Sequence, residues 1–291
     1  MLFRSKPYFQ IRKVENSKRI VELKNPYGSK VIEISNKAFV SAQMFEEIVM
    51  NYGNFNFTGT KKQYQRIRTK LLDQFPICDE ITTLGWQNKG FYAFANGIVD
   101  GNFRKVDDYG ICLYNNEKFF LPAFSKIYAD ANEEDDMYEA DRFFQYKPSG
   151  RTMQQWTQKM IRVHSENGMW SALYVIASIY RDFIFSINNY FPILFNFGLP
   201  QTGKSTCARS VNSIFFGQQA AFLLPSGTPV SFNRRLARVK NAVVWFDEYT
   251  NAIDERRFQS LKGSYDGTGH EKGVMSNDNK TIATKINSAP V

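Results

Sequence analysis

Eight residues in the second half of the chain have the types and spacing of a phosphate-binding loop. Residues 198–205 read GLPQTGKS and match the pattern G-x-x-x-x-G-K-S/T at every fixed position. An apolar run at 191–197 precedes the loop and predicts a buried strand, and residues 206–215 after it predict a helix. A strand, a glycine loop and a helix in this order predict a site for the phosphates of a nucleotide.

Each fixed position of this loop has a physical reason. Gly198 and Gly203 let the backbone turn and approach a phosphate closely. Lys204 carries positive charge toward the β- and γ-phosphates, and Ser205 offers a hydroxyl to a magnesium ion. The predicted cofactors are therefore ATP and Mg²⁺. The residues predicted to contact them are Gly198, Pro200, Gln201, Thr202, Gly203, Lys204, Ser205 and Thr206.

A second segment turns the predicted nucleotide site into a predicted hydrolase site. Residues 241–248 form an apolar run that ends in two carboxylates, Asp247 and Glu248, and predict a strand. Asp247 is predicted to hold the magnesium ion, and Glu248 is predicted to activate the attacking water as general base. A glutamate beside the metal-binding aspartate favours an ATPase over a small-molecule kinase. The alternative is an ordinary strand with an exposed acidic end.

Composition narrows the choice of partners. The 291 residues carry a formal net charge of +9, which suits a polyanionic partner. There are three cysteines, no CxxC pair and two histidines, so we expect no zinc site, no disulfide framework and a reducing, cytoplasmic setting. The apolar stretch at 169–180 is about twelve residues long and predicts a buried helix, so no membrane partner is expected.

The first half of the chain predicts a mixed α and β structure. Residues 19–23 and 30–34 alternate in polarity around a turn and predict a hairpin. Ser41 predicts the cap of a short helix, and Thr60 with Gln63 predicts a capping box for a helix that runs to about Phe75. Further strands are predicted at residues 90–95, 110–114 and 118–121. The basic face of the 60–75 helix could grip phosphates or could simply be solvated.

The second half predicts an α/β nucleotide-binding layout. A helix from Thr152 to about Ser165 and the apolar helix at 169–180 precede the loop. The acidic stretch at 130–141 predicts a solvated loop, and residues 147–150 predict a boundary. We therefore expect two regions: residues 1–147, a mixed α and β region that could bind DNA or pack against the second region, and residues 148–291, a P-loop ATPase domain.

Beyond the carboxylates the chain predicts three more features. Residues 253–262 predict a helix that ends near Gly263. The glycine-rich stretch at 264–273 predicts a hairpin or loop, and residues 277–280 predict a second turn. Residues 281–287 predict the next strand.

This order of motifs resembles the compact motor of the superfamily 3 helicases, which belong to the AAA+ ATPases. The resemblance is closest to primase-helicase-like proteins of phages, plasmids and mobile elements. It rests on the two nucleotide motifs and on three phrases, FNRRLA at 232–237, WFDEY at 245–249 and LKGSYDG at 261–267. It covers residues 150–291 and implies a P-loop, AAA+-like sheet with flanking helices.

The resemblance also implies partners and further site residues. In that family the hairpin after the acidic strand enters a ring pore and holds single-stranded DNA, which implies Lys272 as the pore residue with Lys262 and His270 in support. The alternative is a lysine in a surface turn. Asn287 or Ser288 falls where the family has a polar sensor of the γ-phosphate.

The resemblance implies a homo-oligomeric ring, a hexamer, and an arginine finger beyond the sensor strand. The chain stops at Val291, so we expect a motor that is incomplete at its C-terminus. Arg234, Arg235 and Arg238 are candidates for interface or phosphate contacts.

Three functions remain open at this point. The first is an ATP-dependent DNA helicase or translocase motor of a phage or mobile-element replication protein. The second is an AAA+ ATPase that works as an assembly switch in transposition or element maintenance, without unwinding. The third is a DNA-binding module with a degenerate nucleotide site, against which the intact Lys204, Ser205, Asp247 and Glu248 argue.

Overall fold

A computed structural model describes residues 4–12, 17–73, 75–129, 136–226, 228–251, 253–268, 270–273 and 281–291. Only the backbone is described for 270–273 and 281–284. The chain divides into two compact units that are each discontinuous in sequence. The first consists of Met1–Thr82 and Arg104–Tyr138, and the second of Thr83–Phe103 and Glu139–Val291.

The described residues form a mixed α/β protein with several sheets. The helices are α1 (Ala42–Met50), α2 (Lys61–Leu72), α3 (Met153–Ile179), α4 (Arg181–Asn188), α5 (Lys204–Phe216), α6 (Pro229–Ala237) and α7 (Glu255–Tyr265). The strands of the first half are β1 (Arg4–Arg12), β2 (Lys18–Asn25), β3 (Gly28–Ser35), β4 (Ile77–Glu80), β5 (Leu84–Gln87), β6 (Phe91–Phe94), β7 (Gly97–Val99), β8 (Phe103–Lys105), β9 (Ile111–Tyr114) and β10 (Glu117–Phe120). Those of the second half are β11 (Phe222–Leu223), β12 (Val239–Lys240), β13 (Val243–Val244), β14 (Phe246–Asp247), β15 (His270–Gly273), β16 (Thr281–Thr284) and β17 (Ala289–Pro290).

The first unit contains a six-stranded sheet in the order β3-β2-β1-β4-β10-β9. The predicted hairpin is confirmed as β2 and β3, whose turn forms because the Asn25 side chain accepts hydrogen bonds from the backbone N–H groups of Tyr27 and Gly28. The predicted strands near 90–95, 110–114 and 118–121 are confirmed as β6, β9 and β10. Of these, β6 belongs to the second unit.

Both predicted helix caps of the first unit are confirmed. The Ser41 hydroxyl accepts a hydrogen bond from the Met44 N–H at the start of α1. Thr60 and Gln63 form the capping box of α2, which ends at Leu72 rather than near Phe75. Strand β1 is missing from the sequence prediction because charged residues and Pro7 interrupt its alternation, and its register with β2 shifts between Pro7 and Phe9.

The second unit contains a parallel set of short strands that positions the predicted site. Strand β11 runs parallel to β14, and β13 runs parallel to β17. Strands β13 and β14 are consecutive parts of one stretch of chain, which ends in Asp247 and Glu248. Since β13 pairs with β17 and β14 pairs with β11, this stretch lies between β11 and β17. On the far side of β17, the Leu194 N–H donates to the Pro290 carbonyl at 3.2 Å. Strand β17 therefore lies between two segments: residues 191–197, which lead into the predicted phosphate-binding loop (the loop segment), and residues 241–248, which end in the two carboxylates (the acidic segment).

The same unit contains a second group of strands around residues 84–99. Strands β5, β6 and β7 are antiparallel neighbours, and β12 pairs with β5 in parallel. Gly85 has a φ of +92° and faces the backbone of Lys240, where an added Cβ would lie 1.9 Å from the carbonyl oxygen. Only glycine allows these two strands to approach so closely.

Three of the predicted strands differ from the structure. Residues 191–197 form no strand, because a single ladder bond joins them to β17 and both Phe195 and Phe197 are exposed. The predicted strand at 241–248 is shorter and is interrupted at Trp245. The predicted strand at 281–287 ends at Thr284, because β16 pairs back onto β15 as a hairpin.

The helices around the loop follow the prediction more closely. Thr152 and Gln155 form a capping box at the start of α3, and a non-helical Ser165 divides α3 into the two predicted helices. Gly168 allows tight packing at this break, since an added Cβ would lie 2.0 Å from the Met160 carbonyl oxygen. Among the described residues, no helix combines the length and the apolar character needed to cross a membrane.

Candidate functional site

The two predicted halves of the site line one cleft of about 570 Å³ in the second unit. Gly198, Lys204 and Ser205 line one side, and Asp247 and Glu248 line the other. The arrangement of the strands explains why the loop and the two carboxylates lie close together. The acidic segment and β17 are parallel, so their carboxyl ends lie at the same edge, where Val291 also lines the cleft.

The loop side of the cleft is built mainly from backbone. Gly203 adopts a left-handed conformation with φ of +86°, and α5 begins at the next residue, Lys204. The N-cap residue, Gly203, has no side chain that could accept a hydrogen bond from the first turn. The N–H groups that start an α-helix have no intrahelical partner either. Uncapped amides at the positive end of the helix dipole form an anion site.

The Lys204 ammonium group lies over the loop. It donates to the carbonyl oxygens of Gly198 at 2.8 Å and Leu199 at 2.5 Å. Thr202 closes the loop from within, since its hydroxyl donates to the Leu199 carbonyl at 2.8 Å. The charge of Lys204 is therefore held at the mouth of a narrow backbone turn.

The acidic side of the cleft is carried by a buried strand with an abrupt end. Trp245 and Phe246 are buried, whereas Asp247 is half-buried and Glu248 is exposed. The Asp247 carboxylate accepts a hydrogen bond from the Glu248 N–H at 3.0 Å. Glu248 adopts a positive φ of 62°, which is uncommon for a residue other than glycine and is concentrated at functional sites.

Two contacts hold the halves together. The Tyr174 hydroxyl on α3 lies 2.7 Å from the Pro290 carbonyl and 3.1 Å from the Pro192 carbonyl, so it ties the loop segment to β17. Burial raises the pKa of Tyr174, and its hydroxyl stays a neutral donor. The Phe195 ring packs edge-on against the Tyr249 ring with centroids 5.3 Å apart, which joins the loop segment to the end of the acidic strand.

The residues present fit a nucleoside triphosphate with magnesium. The uncapped amides of α5 and the Lys204 ammonium suit phosphate oxygens. The Ser205 hydroxyl and the Asp247 carboxylate supply the hard oxygen ligands that Mg²⁺ takes, and they line the same cleft.

The other predicted contacts of the loop are placed as follows. Pro200, Gln201 and Thr202 are exposed on the loop, where Gln201 has a positive φ of 62°. Thr206 is exposed in the first turn of α5. They lie around the helix start, and of the predicted nucleotide contacts Gly198, Lys204 and Ser205 line the cleft itself.

The predicted DNA contacts are only partly described. Lys262 is exposed on α7. His270 and Lys272 belong to β15, which pairs with β16 at His270↔Thr284 and Lys272↔Ile282, but their side chains lie outside the described residues. A hairpin follows the acidic strand, but it consists of β15 and β16 and not of the predicted stretch 264–273, whose first two residues belong to α7. The turn predicted at 277–280 lies outside the described residues.

The structure does not bring the predicted sensor residues into the cleft. The Asn287 carbonyl accepts a hydrogen bond from the Asn241 N–H at 3.0 Å, at the amino end of the parallel strands. The neighbouring Ser288 is buried and its hydroxyl donates to the Leu236 carbonyl at 2.6 Å. The cleft lies at the opposite, carboxyl end, where Val291 is found.

The three candidate arginines after residue 233 differ in their surroundings. Arg235 is buried, donates to the Ala220 carbonyl at 3.2 Å, and has its pKa lowered to about 10 by burial and by the charge of Arg238. Arg238 pairs with Asp141 at 3.4 Å. These two contacts are structural, and Arg234 is the exposed member of the three.

Several residues that line the cleft were not predicted from the sequence, among them Tyr249, Asn251 and Val291. Tyr249 and Asn251 come shortly after Asp247 and Glu248 in the sequence, and this closeness was the one indication that they could line the cleft. Val291 carried no signal, because its place depends on the parallel pairing of β17 with β13. Among the described residues, no group of three histidine, cysteine or carboxylate side chains is arranged to hold a metal ion by itself.

Neither a comparison with models of known protein families nor one with curated proteins finds a match to this chain.

Proposed function

We propose that this protein binds ATP with magnesium in the cleft of the second unit and hydrolyses it. One observation carries the proposal. An uncapped helix start with a lysine and a serine faces a strand that ends in two adjacent carboxylates, within one cleft of about 570 Å³. A cleft of this size is typical of small-molecule sites.

Four side chains of the cleft have a role in this proposal. The amides of α5 and the Lys204 ammonium hold the phosphates and stabilise the charge that moves onto them during cleavage. Ser205 and Asp247 would hold the magnesium ion, which supplies charge neutralisation at the phosphates when bound. Glu248, exposed beside Asp247, orients the attacking water and accepts its proton.

We further propose that hydrolysis drives movement on single-stranded DNA, as in a helicase or translocase motor. The support is the arrangement beyond the acid pair. The acidic segment is separated from the loop segment by β17, and the β15–β16 hairpin follows the acidic segment along the chain. The hairpin backbone includes Lys272, and the net charge of +9 favours a polyanion. In this proposal the chain works as part of a homo-oligomeric ring.

The test is phosphate release from Mg·ATP with and without single-stranded DNA. We expect slow hydrolysis that DNA stimulates, and loss of the stimulation in Lys272→Ala with the basal rate retained. The matched control is Lys159→Ala, an exposed lysine on α3 that lies outside the cleft.

Two results would count against the proposal at different levels. Hydrolysis without any response to DNA, in both Lys272→Ala and wild type, would favour an ATP-dependent assembly switch over a translocating motor. Absence of Mg·ATP binding would remove the ATPase proposal as a whole.

A further inference from the structure

A second and larger cleft opens at the other end of α5. It measures about 950 Å³, and all its lining residues belong to the second unit. Its walls are residues 213–217 at the end of α5, Phe94 of β6 and the segment 142–151. The loop site lies at Lys204 and this cleft begins at Ser213, so about 14 Å of helix separates them.

Aromatic side chains form the floor of this cleft. The Tyr146 ring stacks on Phe103 with centroids 4.6 Å apart and contacts Phe94 at 5.6 Å. The backbone of Tyr146 is fixed by Asn96, whose side-chain amide accepts from the Tyr146 N–H at 2.9 Å and donates to its carbonyl at 3.0 Å. The floor is therefore held in one arrangement rather than being a loose loop.

The neighbouring part of the segment is anchored on α5. Phe144 is fully buried and stacks on Phe215 with an interplanar angle of 5° and centroids 6.3 Å apart. Its ring also contacts Phe216 at 4.9 Å. Phe143, the residue before it, also lines the cleft and leaves 39% of its surface exposed.

The rim of the cleft is basic. Arg142, Lys147 and Arg151 line it, and among the described residues Glu139 is the one carboxylate in its lining. Lys147 and Arg151 are exposed and form no ion pair with any residue that the structure describes. Two unpaired cations beside an open aromatic ring form a surface that attracts an anion with flat, stackable groups.

We propose that this cleft binds single-stranded nucleic acid, with backbone phosphates on Lys147 and Arg151 and a base stacked on Phe143. A positively charged groove with aromatic rings is the general solution for holding single strands without reading sequence. An acidic peptide would match the charge but would leave the aromatic surface without a stacking partner. The choice of DNA as the natural strand rests on the proposed function, whereas the binding itself requires no ATP.

The experiment measures fluorescence anisotropy of a labelled oligothymidylate of about 20 nucleotides, longer than the roughly 4–16 nucleotides of a typical single-strand site. The test variant is Lys147→Glu with Arg151→Glu. The control variant, Lys159→Glu with Arg162→Glu, makes the same charge change at two exposed positions of α3 outside the cleft. We expect the dissociation constant to rise at least about tenfold in the test variant and less than about twofold in the control.

Two further variants separate charge from stacking. Replacing Lys147 and Arg151 by alanine should reduce the slope of log K against log salt by about 1.4, because each phosphate contact on a single strand contributes about 0.7. Phe143→Ala should weaken binding about fivefold or more while leaving the salt slope unchanged, since stacking is not an ionic contact. All of these side chains are exposed, so folding should survive, and matching thermal melts of the variants would verify it.

The outcomes are distinct. Equal affinities of the test variant, the control and wild type, or no binding by wild type, would overturn the proposal. So would tight binding of labelled polyglutamate that depends on Lys147 and Arg151, because the occupant would then be an acidic peptide. Binding of a fluorescent ATP analogue, measured on the same variants, reports on the loop site separately. Retained nucleotide binding with lost oligonucleotide binding supports both proposals.

Discussion

The two proposed binding sites lie at opposite ends of α5 and are built in different ways. At its start, near Lys204, the site is made of backbone amides, a left-handed Gly203 and one positively charged side chain. At its end, near Phe215, the cleft is made of side chains from separate stretches of the chain. The residues of the loop site are eight neighbours in the sequence, whereas those of the aromatic cleft come together only when the chain folds.

This difference explains what the sequence could predict. The glycines and the lysine of the loop must stand at fixed spacing for the backbone to wrap a phosphate, so the motif is visible without a structure. The aromatic cleft combines residues near 94, 146 and 215, and no local pattern links them. In the sequence, Phe143 and Tyr146 are indistinguishable from ordinary core aromatics.

The fold was predictable to the same extent. Helix caps at Ser41 and Thr60 rely on neighbours three residues away, and the structure confirms both. The misassigned strand at 191–197 depends on a partner almost one hundred residues later, Pro290, whose single hydrogen bond does not establish a ladder. Asn287 is predicted as a sensor only because it follows the hairpin in the sequence. The parallel pairing of β17 with β13 instead places it at the amino end of the strands, whereas the cleft lies at their carboxyl end.

The largest effect should come from the acidic side of the loop site. Glu248→Gln removes the proposed general base, and we expect the rate of ATP hydrolysis to fall roughly 10²- to 10⁴-fold. Nucleotide affinity should stay within about twofold, because Glu248 is not among the groups proposed to hold the phosphates. Phosphate release and binding of a fluorescent ATP analogue measure the two quantities. A parallel loss of affinity would mean that Glu248 is a binding residue instead.

Each end of α5 also carries a glycine with positive φ. An added Cβ at Gly203 (φ +86°, ψ +12°) or at Gly217 (φ +57°, ψ −118°) would meet no atom within 4 Å. Gly203→Ala should introduce backbone strain of about 1–2 kcal/mol, and Gly217→Ala should introduce at least as much, because Gly217 lies outside the left-handed helical region.

Only the change at Gly203 should weaken nucleotide binding, by roughly tenfold, because it shifts the amides that are proposed to hold the phosphates. Titration of both variants with the fluorescent ATP analogue makes the comparison. Equal losses in both variants would show that the effect is general destabilisation and that the start of α5 has no special role.

The bond that ties the loop segment to β17 should have a moderate effect on stability. Tyr174→Phe removes the hydroxyl shared by the Pro192 and Pro290 carbonyls, and we expect the free energy of unfolding to fall by about 1–2 kcal/mol. Tyr180→Phe, at an exposed tyrosine of the same helical region, is the control and should change it by less than about 0.5 kcal/mol. Denaturant unfolding measures both, and indistinguishable midpoints would refute this role of Tyr174.

The smallest effect concerns acid stability at the far end of the acidic segment. Burial acts to raise the pKa of Asp182, but hydrogen bonds from Asn241 and Lys240, with the charge of Lys240, outweigh it and lower the pKa below its usual value. The folded state therefore gains stability from the ionised carboxylate above the unfolded pKa of about 3.9, and loses it as pH falls through the lower folded pKa.

Asp182→Asn should consequently reduce the drop in melting temperature between pH 7 and pH 3. Nucleotide affinity at pH 7 should not change, because Asp182 contacts Asn241 at the amino end of the strand and the cleft lies at the carboxyl end. Thermal melts at the two pH values measure the first quantity. An unchanged drop in the variant would mean that Asp182 does not contribute to acid stability.

The central claim is that a backbone cradle with one lysine grips a triphosphate, and equilibrium binding of a fluorescent ATP analogue tests it most directly. In the presence of Mg²⁺ we expect saturable binding to wild type and to Lys159→Ala, and an affinity roughly ten- to hundredfold lower for Lys204→Ala, as expected for a lost charge-assisted contact. Equal affinity of Lys204→Ala and wild type, or no binding by either, would contradict the account.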